Sequence, residues 1–309
     1  MAVRESRPNS NPPNPMYMLA FDHRQVLRDL YPAATAEDLK ATKMAVLDSL
    51  EVLSDRVANK ASLAFLVDEE YGADAARSAR DRGFYVALPI EASRTKILQL
   101  QYPDDFRERF ERLDPDCVKA LIFHNPADDA ERKSAQLALL RQINDFAREQ
   151  GRDYLLEVLI NPTPQQLKRC GDDREAFRTT LFPELLVQSI SEMQNVGIEP
   201  DVWKIEGLDT VDATAAVGAQ ATAGDRGDVR CIVLGSGEAQ EKVNGWLGNA
   251  SNVPVFSGFA VGRTVWREPL ADMLASRVER ASAVEAIARS FAELIDAFGR
   301  ESAAVNVEA

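Results

Sequence analysis

Met16-Tyr17-Met18-Leu19-Ala20-Phe21-Asp22-His23-Arg24 is an apolar, β-prone run that ends abruptly in charge, and that charged end decides the fold. The first strand of an open, doubly wound sheet leads into a glycine-rich dinucleotide loop, whereas here Asp22-His23-Arg24 occupies that place. Working outward, seven more runs of the same kind appear at 63–67, 84–89, 118–123, 154–160, 202–205, 231–234 and 255–259. Between them lie stretches of helical period at 36–54, 74–82, 130–149, 183–196, 210–223 and 238–247, and one at 283–298 closes the series. Eight strands with interleaved helices in 309 residues predict an α/β fold of one (βα)8 barrel, with the open sheet as the competing reading.

No shift in composition marks a domain boundary, so residues 16–300 are expected to form the barrel, after a polar, Asn- and Pro-rich leader at 1–15 and before a tail at 301–309. A formal charge of −13 disfavours nucleic acid or an anionic membrane as the main partner, and an anionic substrate would need local cations to overcome it. Cys117, Cys170 and Cys231 are widely separated, which suggests neither a disulfide framework nor a zinc cluster. No run resembles a secretory signal or could span a bilayer, so a cytoplasmic protein is expected. Self-association is left open.

In a barrel, alternate strand residues point inward and the strand C-termini carry the chemistry. Five of the predicted strands place charge there: Asp22, Asp68, Lys119, Glu157 and the pair Lys204 and Glu206. In Asp201-Val202-Trp203-Lys204-Ile205-Glu206-Gly207 the period of two puts Lys204 toward the axis, in an apolar strand. An ammonium so placed tends to lose its proton, and a neutral amine is what an imine-forming nucleophile must be. An edge strand or a plain ion pair is the alternative reading. Glu157 lies between Leu155 and Leu159 on its own inward face and is a candidate proton shuttle, with an ion pair to Lys119 or Lys204 as its alternative. Strands seven and eight lead into Gly235-Ser236-Gly237 and Gly258-Phe259-Ala260-Val261-Gly262-Arg263, where glycines and an arginine can close on phosphate.

Leu19-Ala20-Phe21-Asp22-His23-Arg24, Leu66-Val67-Asp68-Glu69-Glu70-Tyr71-Gly72, Trp203-Lys204-Ile205-Glu206 and Ser257-Gly258-Phe259-Ala260-Val261-Gly262-Arg263-Thr264-Val265-Trp266 together resemble the class I aldolases related to tagatose-1,6-bisphosphate aldolase. The resemblance spans roughly Met16 to Leu270 and is most similar to the branch seen fused to inositol-catabolism sugar kinases. That branch is associated with cleavage of 5-dehydro-2-deoxy-6-phosphogluconate to dihydroxyacetone phosphate and malonate semialdehyde. The resemblance implies that Lys204 is the Schiff-base lysine and Glu157 the proton shuttle. It implies that Asp22 and Lys119 sit in the substrate cavity, with Ser236, Gly237, Gly262 and Arg263 at the phosphate. His23, Asp68 and Glu206 join the candidate substrate-binding residues by their places at strand ends.

Two departures bear on substrate. His23 stands where the tagatose-bisphosphate subgroup has Gln, and Phe123-His124-Asn125 where it has an aromatic pair. The resemblance implies a free-standing aldolase acting on a small sugar phosphate, with no cofactor and no metal. With only His23 and His124 available, a zinc-dependent aldolase is disfavoured, and Asp68-Glu69-Glu70 reads as a hydrogen-bonding strand end before it reads as a magnesium site. The competing functions are an aldolase for tagatose 1,6-bisphosphate or a phosphorylated sulfo-sugar, a pyridoxal-phosphate enzyme, and a non-catalytic barrel that binds a sugar phosphate.

Overall fold

The computed structural model of the protein describes residues 12–305. β1 (Met16–Phe21) is followed by α1 (Gln25–Leu30), α2 (Ala36–Ser54), β2 (Leu63–Val67), α3 (Glu69–Asp81), β3 (Tyr85–Pro89), α4 (Phe106–Leu113), β4 (Cys117–Phe123) and α5 (Ala130–Glu149). The second half runs β5 (Asp153–Leu159), α6 (Pro164–Arg169), α7 (Arg174–Thr180), α8 (Phe182–Asn195), β6 (Val202–Glu206), α9 (Val211–Ala221), β7 (Arg230–Leu234), α10 (Gln240–Ser251), β8 (Phe256–Val261), α11 (Arg263–Leu274) and α12 (Arg280–Val305). Neighbouring strands pair in parallel, and β8 pairs with β1 to close the ring. This is the (βα)8 barrel that the alternation predicts. Residues 1–11 of the predicted leader and 306–309 of the predicted tail lie outside the described residues.

Two apolar regions hold the barrel together. Inside the ring, Met16, Met18, Ala20, Ala64, Leu66, Ala87, Leu155, Val202, Ile232 and Ala260 are buried and fill the axis below the strand C-termini. Outside it, residues such as Phe65, Tyr154, Trp203 and Phe259 face the helical layer. β6 shows the division in one strand, with Val202 in the inner cluster and Trp203 in the outer one. Side-chain alternation across the pleat produces this split, so the next inward residue above Val202 is Lys204.

Strand ends are fixed by local chemistry. Asp68 terminates β2 by accepting the Tyr71 N–H at 2.8 Å as the N-cap of α3. The Thr35 and Asp38 side chains form a reciprocal capping box that starts α2. No helix among the described residues is long and apolar enough to cross a membrane.

Candidate active site

Register brings the charged inward residues to one level. Glu157 on β5 is the pairing partner of Lys204 on β6, and Lys119 on β4 is that of Pro89 at the end of β3. Lys119 is 1% exposed, with its Nζ 2.9 Å from Asp22 Oδ2, 2.5 Å from Glu91 Oε1 and 3.2 Å from Glu157 Oε2. Lys204 Nζ lies 3.0 Å from the same Glu157 Oε2, its one carboxylate partner within 4 Å among the described residues. The wall thus holds three carboxylates and two ammoniums, with Glu157 shared between the lysines.

The electrostatics follow from this packing. Burial alone would lower Lys119, but Asp22, Glu91 and Glu157 outweigh it and hold the ammonium well above the ordinary lysine range. Burial alone would raise Asp22 and Glu157. The lysine charges prevail in both, so Asp22 lies far below the usual carboxylate range and Glu157 is also depressed. His23 is driven down to about 3, chiefly by burial, and is neutral at physiological pH. It meets the Trp266 ring edge-on, with centroids 5.2 Å apart.

These groups line a cavity of about 330 Å³ at the C-terminal mouth of the barrel. Asp22, His23, Lys119, Glu157, Lys204 and Arg263 all contribute to its wall. The residues predicted to hold phosphate converge on one guanidinium. Arg263 donates from Nη2 to the Ser236 carbonyl at 2.8 Å, and a Cβ on Gly237, whose φ is +77°, would stand 2.8 Å from Arg263 Cζ. Gly262 approaches β1 so closely that a Cβ there would lie 2.2 Å from the Ala20 carbonyl oxygen. Trp266, one turn along α11, donates to that same carbonyl at 3.0 Å and packs on Phe21 with centroids 4.6 Å apart. Burying such an indole contributes about 4–6 kcal/mol of transfer free energy, which fixes the start of α11 and with it Arg263.

Of the predicted phosphate residues only Arg263 lines the cavity itself, Ser236, Gly237 and Gly262 lying beside it, and the predicted substrate residues Asp68 and Glu206 are not brought there. Asp68 is fully buried against Lys43 at 2.5 Å, and Lys43 also donates to the Phe21 and His23 carbonyls at 2.5 and 2.9 Å. β2 ends one residue earlier, so the alternation that would aim Asp68 at the axis no longer operates. Glu206 faces Arg178 at 3.8 Å, and burial raises its carboxyl. His124 is likewise outside the cavity, with Nε2 2.8 Å from Glu192 Oε2. Among the described residues no group of three or more His, Cys, Asp or Glu is arranged to hold a metal ion.

Glu91, Arg24 and Arg94 also line the cavity; Arg24 ends the first-strand motif, but no sequence pattern assigns a site role to any of the three. Glu91 continues the inward face of β3 two residues beyond Pro89, and its Oε2 is buried with no hydrogen-bond partner among the described residues. It opens a flap at 90–101, closed at its base by Ala92 N–H to Gln99 O at 2.8 Å and Gln101 N–H to Ile90 O at 2.9 Å. Arg24 clasps that base by donating to Glu91 O at 2.8 Å and Gln101 Oε1 at 3.0 Å. From the other side, Gln136 Oε1 on α5 accepts the Leu98 N–H at 2.9 Å, and Arg132 donates to Lys96 O at 2.7 Å. Arg94, held at φ +59°, pairs with Asp29 on α1. A left-handed non-glycine residue costs about 1–2 kcal/mol, which these fastenings must offset.

Among solved structures the chain is similar to a fructose-bisphosphate aldolase from Slackia heliotrinireducens, at 12% identity and a TM-score of 0.53, covering 88% of this chain and 84% of that one. It is also similar to a structural-genomics protein from Corynebacterium glutamicum, at 14% identity and a TM-score of 0.55, covering 89% of this chain and 85% of that one. At such identities the likeness is one of fold. No curated protein matches the chain. A family model described as "Uncharacterized protein conserved in bacteria (DUF2090)" matches residues 3–302, and the chain belongs to that family.

Proposed function

We propose that the protein is a class I aldolase that forms an imine on Lys204 and performs retro-aldol cleavage of a phosphorylated keto sugar acid. The substrate is of the 5-dehydro-2-deoxy-6-phosphogluconate type, and the products are dihydroxyacetone phosphate and malonate semialdehyde. The observation that carries this reading is the unequal treatment of the two buried lysines. Lys119 is held as a cation by three carboxylates, whereas Lys204 has one, which is also the nearest proton acceptor. Lys119 therefore serves as a fixed positive charge and Lys204 as the nucleophile. The fold neighbour named as a fructose-bisphosphate aldolase supports the reaction type at the level of architecture.

The chemistry runs through Glu157. A proton passes from Lys204 Nζ to the Glu157 carboxylate 3.0 Å away, and the free amine adds to the substrate ketone. Glu157 returns that proton to the former carbonyl oxygen to give a carbinolamine, relays a second from the nitrogen to the same oxygen, and water leaves an iminium on Lys204. The hydroxyl on the far carbon of the bond to be broken then gives its proton to Glu157. The electrons of its O–H bond become the second bond of the aldehyde carbonyl, and the electrons of the broken C–C bond flow into the iminium to give an enamine. Protonation of the enamine carbon and hydrolysis release dihydroxyacetone phosphate. Arg263, with the Ser236, Gly237 and Gly262 backbone around it, anchors the phosphate. Asp22 and the open Oε2 of Glu91 accept from substrate hydroxyls.

Sodium borohydride with dihydroxyacetone phosphate tests the reading. Reduction is expected to add the mass of the reduced triose phosphate to the peptide containing Lys204, and Lys204→Met is expected to abolish both label and turnover. Label on Lys119 alone, or turnover surviving Lys204→Met, would sink it.

A further inference from the structure

The cavity wall is positively charged in a chain of net charge −13: Arg24, Arg94, Lys119, Lys204 and Arg263 face three carboxylates. Most of these cations already have work. Lys119 and Lys204 are matched by Asp22, Glu91 and Glu157, Arg24 clasps the flap base, and Arg263 belongs to the cradle after β7 and β8. Arg94 is left. In the closed order of eight strands, β3 lies diametrically opposite β7, so the flap after β3 faces the phosphate cradle across Lys204 and Glu157. We propose that Arg94 at the tip of this flap is a second anion subsite, and that it takes a carboxylate at the far end of the substrate.

The flap offers one guanidinium flanked by the hydroxyl residues Ser93 and Thr95, with no glycine in the segment to bring a backbone cradle onto a phosphate. A planar, singly charged group matches one guanidinium fork, whereas phosphate is better served by the richer donor set opposite. The Arg94 to Asp29 pair is exposed on both sides, 54% and 43%, and such pairs contribute little, so a substrate carboxylate can replace Asp29 easily. The fastened base of the flap keeps the arginine at its station while its partner changes. This subsite deepens the aldolase reading and rests on it for the nature of the opposite end.

The test is condensation of dihydroxyacetone phosphate with malonate semialdehyde, glyceraldehyde 3-phosphate or glyceraldehyde by the wild type, Arg94→Ala and Arg94→Asn. Asn removes the charge but tolerates a left-handed backbone. Both variants are expected to lose about tenfold or more in kcat/KM with malonate semialdehyde and less than about twofold with glyceraldehyde, with borohydride trapping of dihydroxyacetone phosphate unchanged. An equal loss with glyceraldehyde would reduce Arg94 to a support of the flap, and a loss confined to the phosphorylated aldehyde would make the site a phosphate subsite. Either result overturns the proposal, as does trapping with no effect of Arg94 on any aldehyde, which leaves the aldolase reading standing. If the wild type traps no dihydroxyacetone phosphate, the aldolase reading falls, and titration with malonate decides the subsite. Binding lost in both variants retains it, and absence of binding removes it.

Discussion

Lys119 touches three carboxylates, of which only Glu157 has a second lysine within reach, so its loss has a calculable sign. Lys119→Met leaves Asp22, Glu91 and Glu157 gathered in a buried space with only Lys204 opposite, and unmatched buried charge costs about 3–5 kcal/mol. Without the ammonium, burial is less opposed at Asp22 and Glu157 and their carboxyls rise, so the variant's deficit shrinks as pH falls and they take up protons. Urea unfolding at pH 7.5 and 5 is expected to show a large deficit that narrows at the lower pH; a deficit constant with pH would contradict this account. Much of the site is legible in the sequence at this scale. The period of two places Lys119, Glu157 and Lys204 inward, with Asp22 at the strand end, because all lie on or just beyond regular strands. It fails where strands stop. Asp68 turns into a helix cap, and Glu91 reaches the cavity after Pro89, beyond the end of the apolar run.

Among the elements, the eight strands lie within one or two residues of their predicted bounds, since apolar β-prone runs survive burial on both faces. The bounds of α2 and α5 agree completely, whereas α1, α4, α6, α7 and α11 are absent from the sequence prediction. Four of these have eight residues or fewer, too short to display a period, and α11 starts inside a motif that reads as a loop. The flap carries no periodic signal at all. What positions it is hydrogen bonding to Arg24 and α5, a tertiary fact. The start of α11 is the element on which the anion cradle depends. Gly262→Ala would drive a methyl carbon to 2.2 Å from the Ala20 carbonyl, and neither backbone can yield without moving the Trp266 contact or Arg263. A loss of about 2–4 kcal/mol in stability is expected, of the size seen for overpacking and strain in cores. Phosphorylated substrate should also bind more weakly. A variant as stable as the parent in thermal unfolding would show that the seam between β1 and α11 is looser than described.

For the whole molecule, acidity is the lever. His23 has a folded value of about 3 against an ordinary 6.5, so the stability linked to it is complete above pH 6.5 and is lost as pH falls toward 3. Asp22 and Glu157 are depressed as well, and their contribution disappears as pH drops below the ordinary carboxylate values of 3.8 and 4.5. Glu206, raised by burial, acts in the opposite sense, but it is one group against three. Unfolding free energy is therefore expected to decline steadily from pH 6.5 to 4, and a flat profile there would refute the assignment of a neutral His23. The carboxylate shared by two ammoniums has a consequence for the proposed reaction as a whole. Imine formation replaces an ammonium by an iminium of equal charge. When the C–C bond breaks, the iminium becomes a neutral enamine at the moment Glu157 becomes a neutral acid. Every covalent stage thus leaves the barrel wall with the same total charge, so water is needed at the site only as the reactant that is released and taken up at the imine, and not to compensate charge along the packed axis.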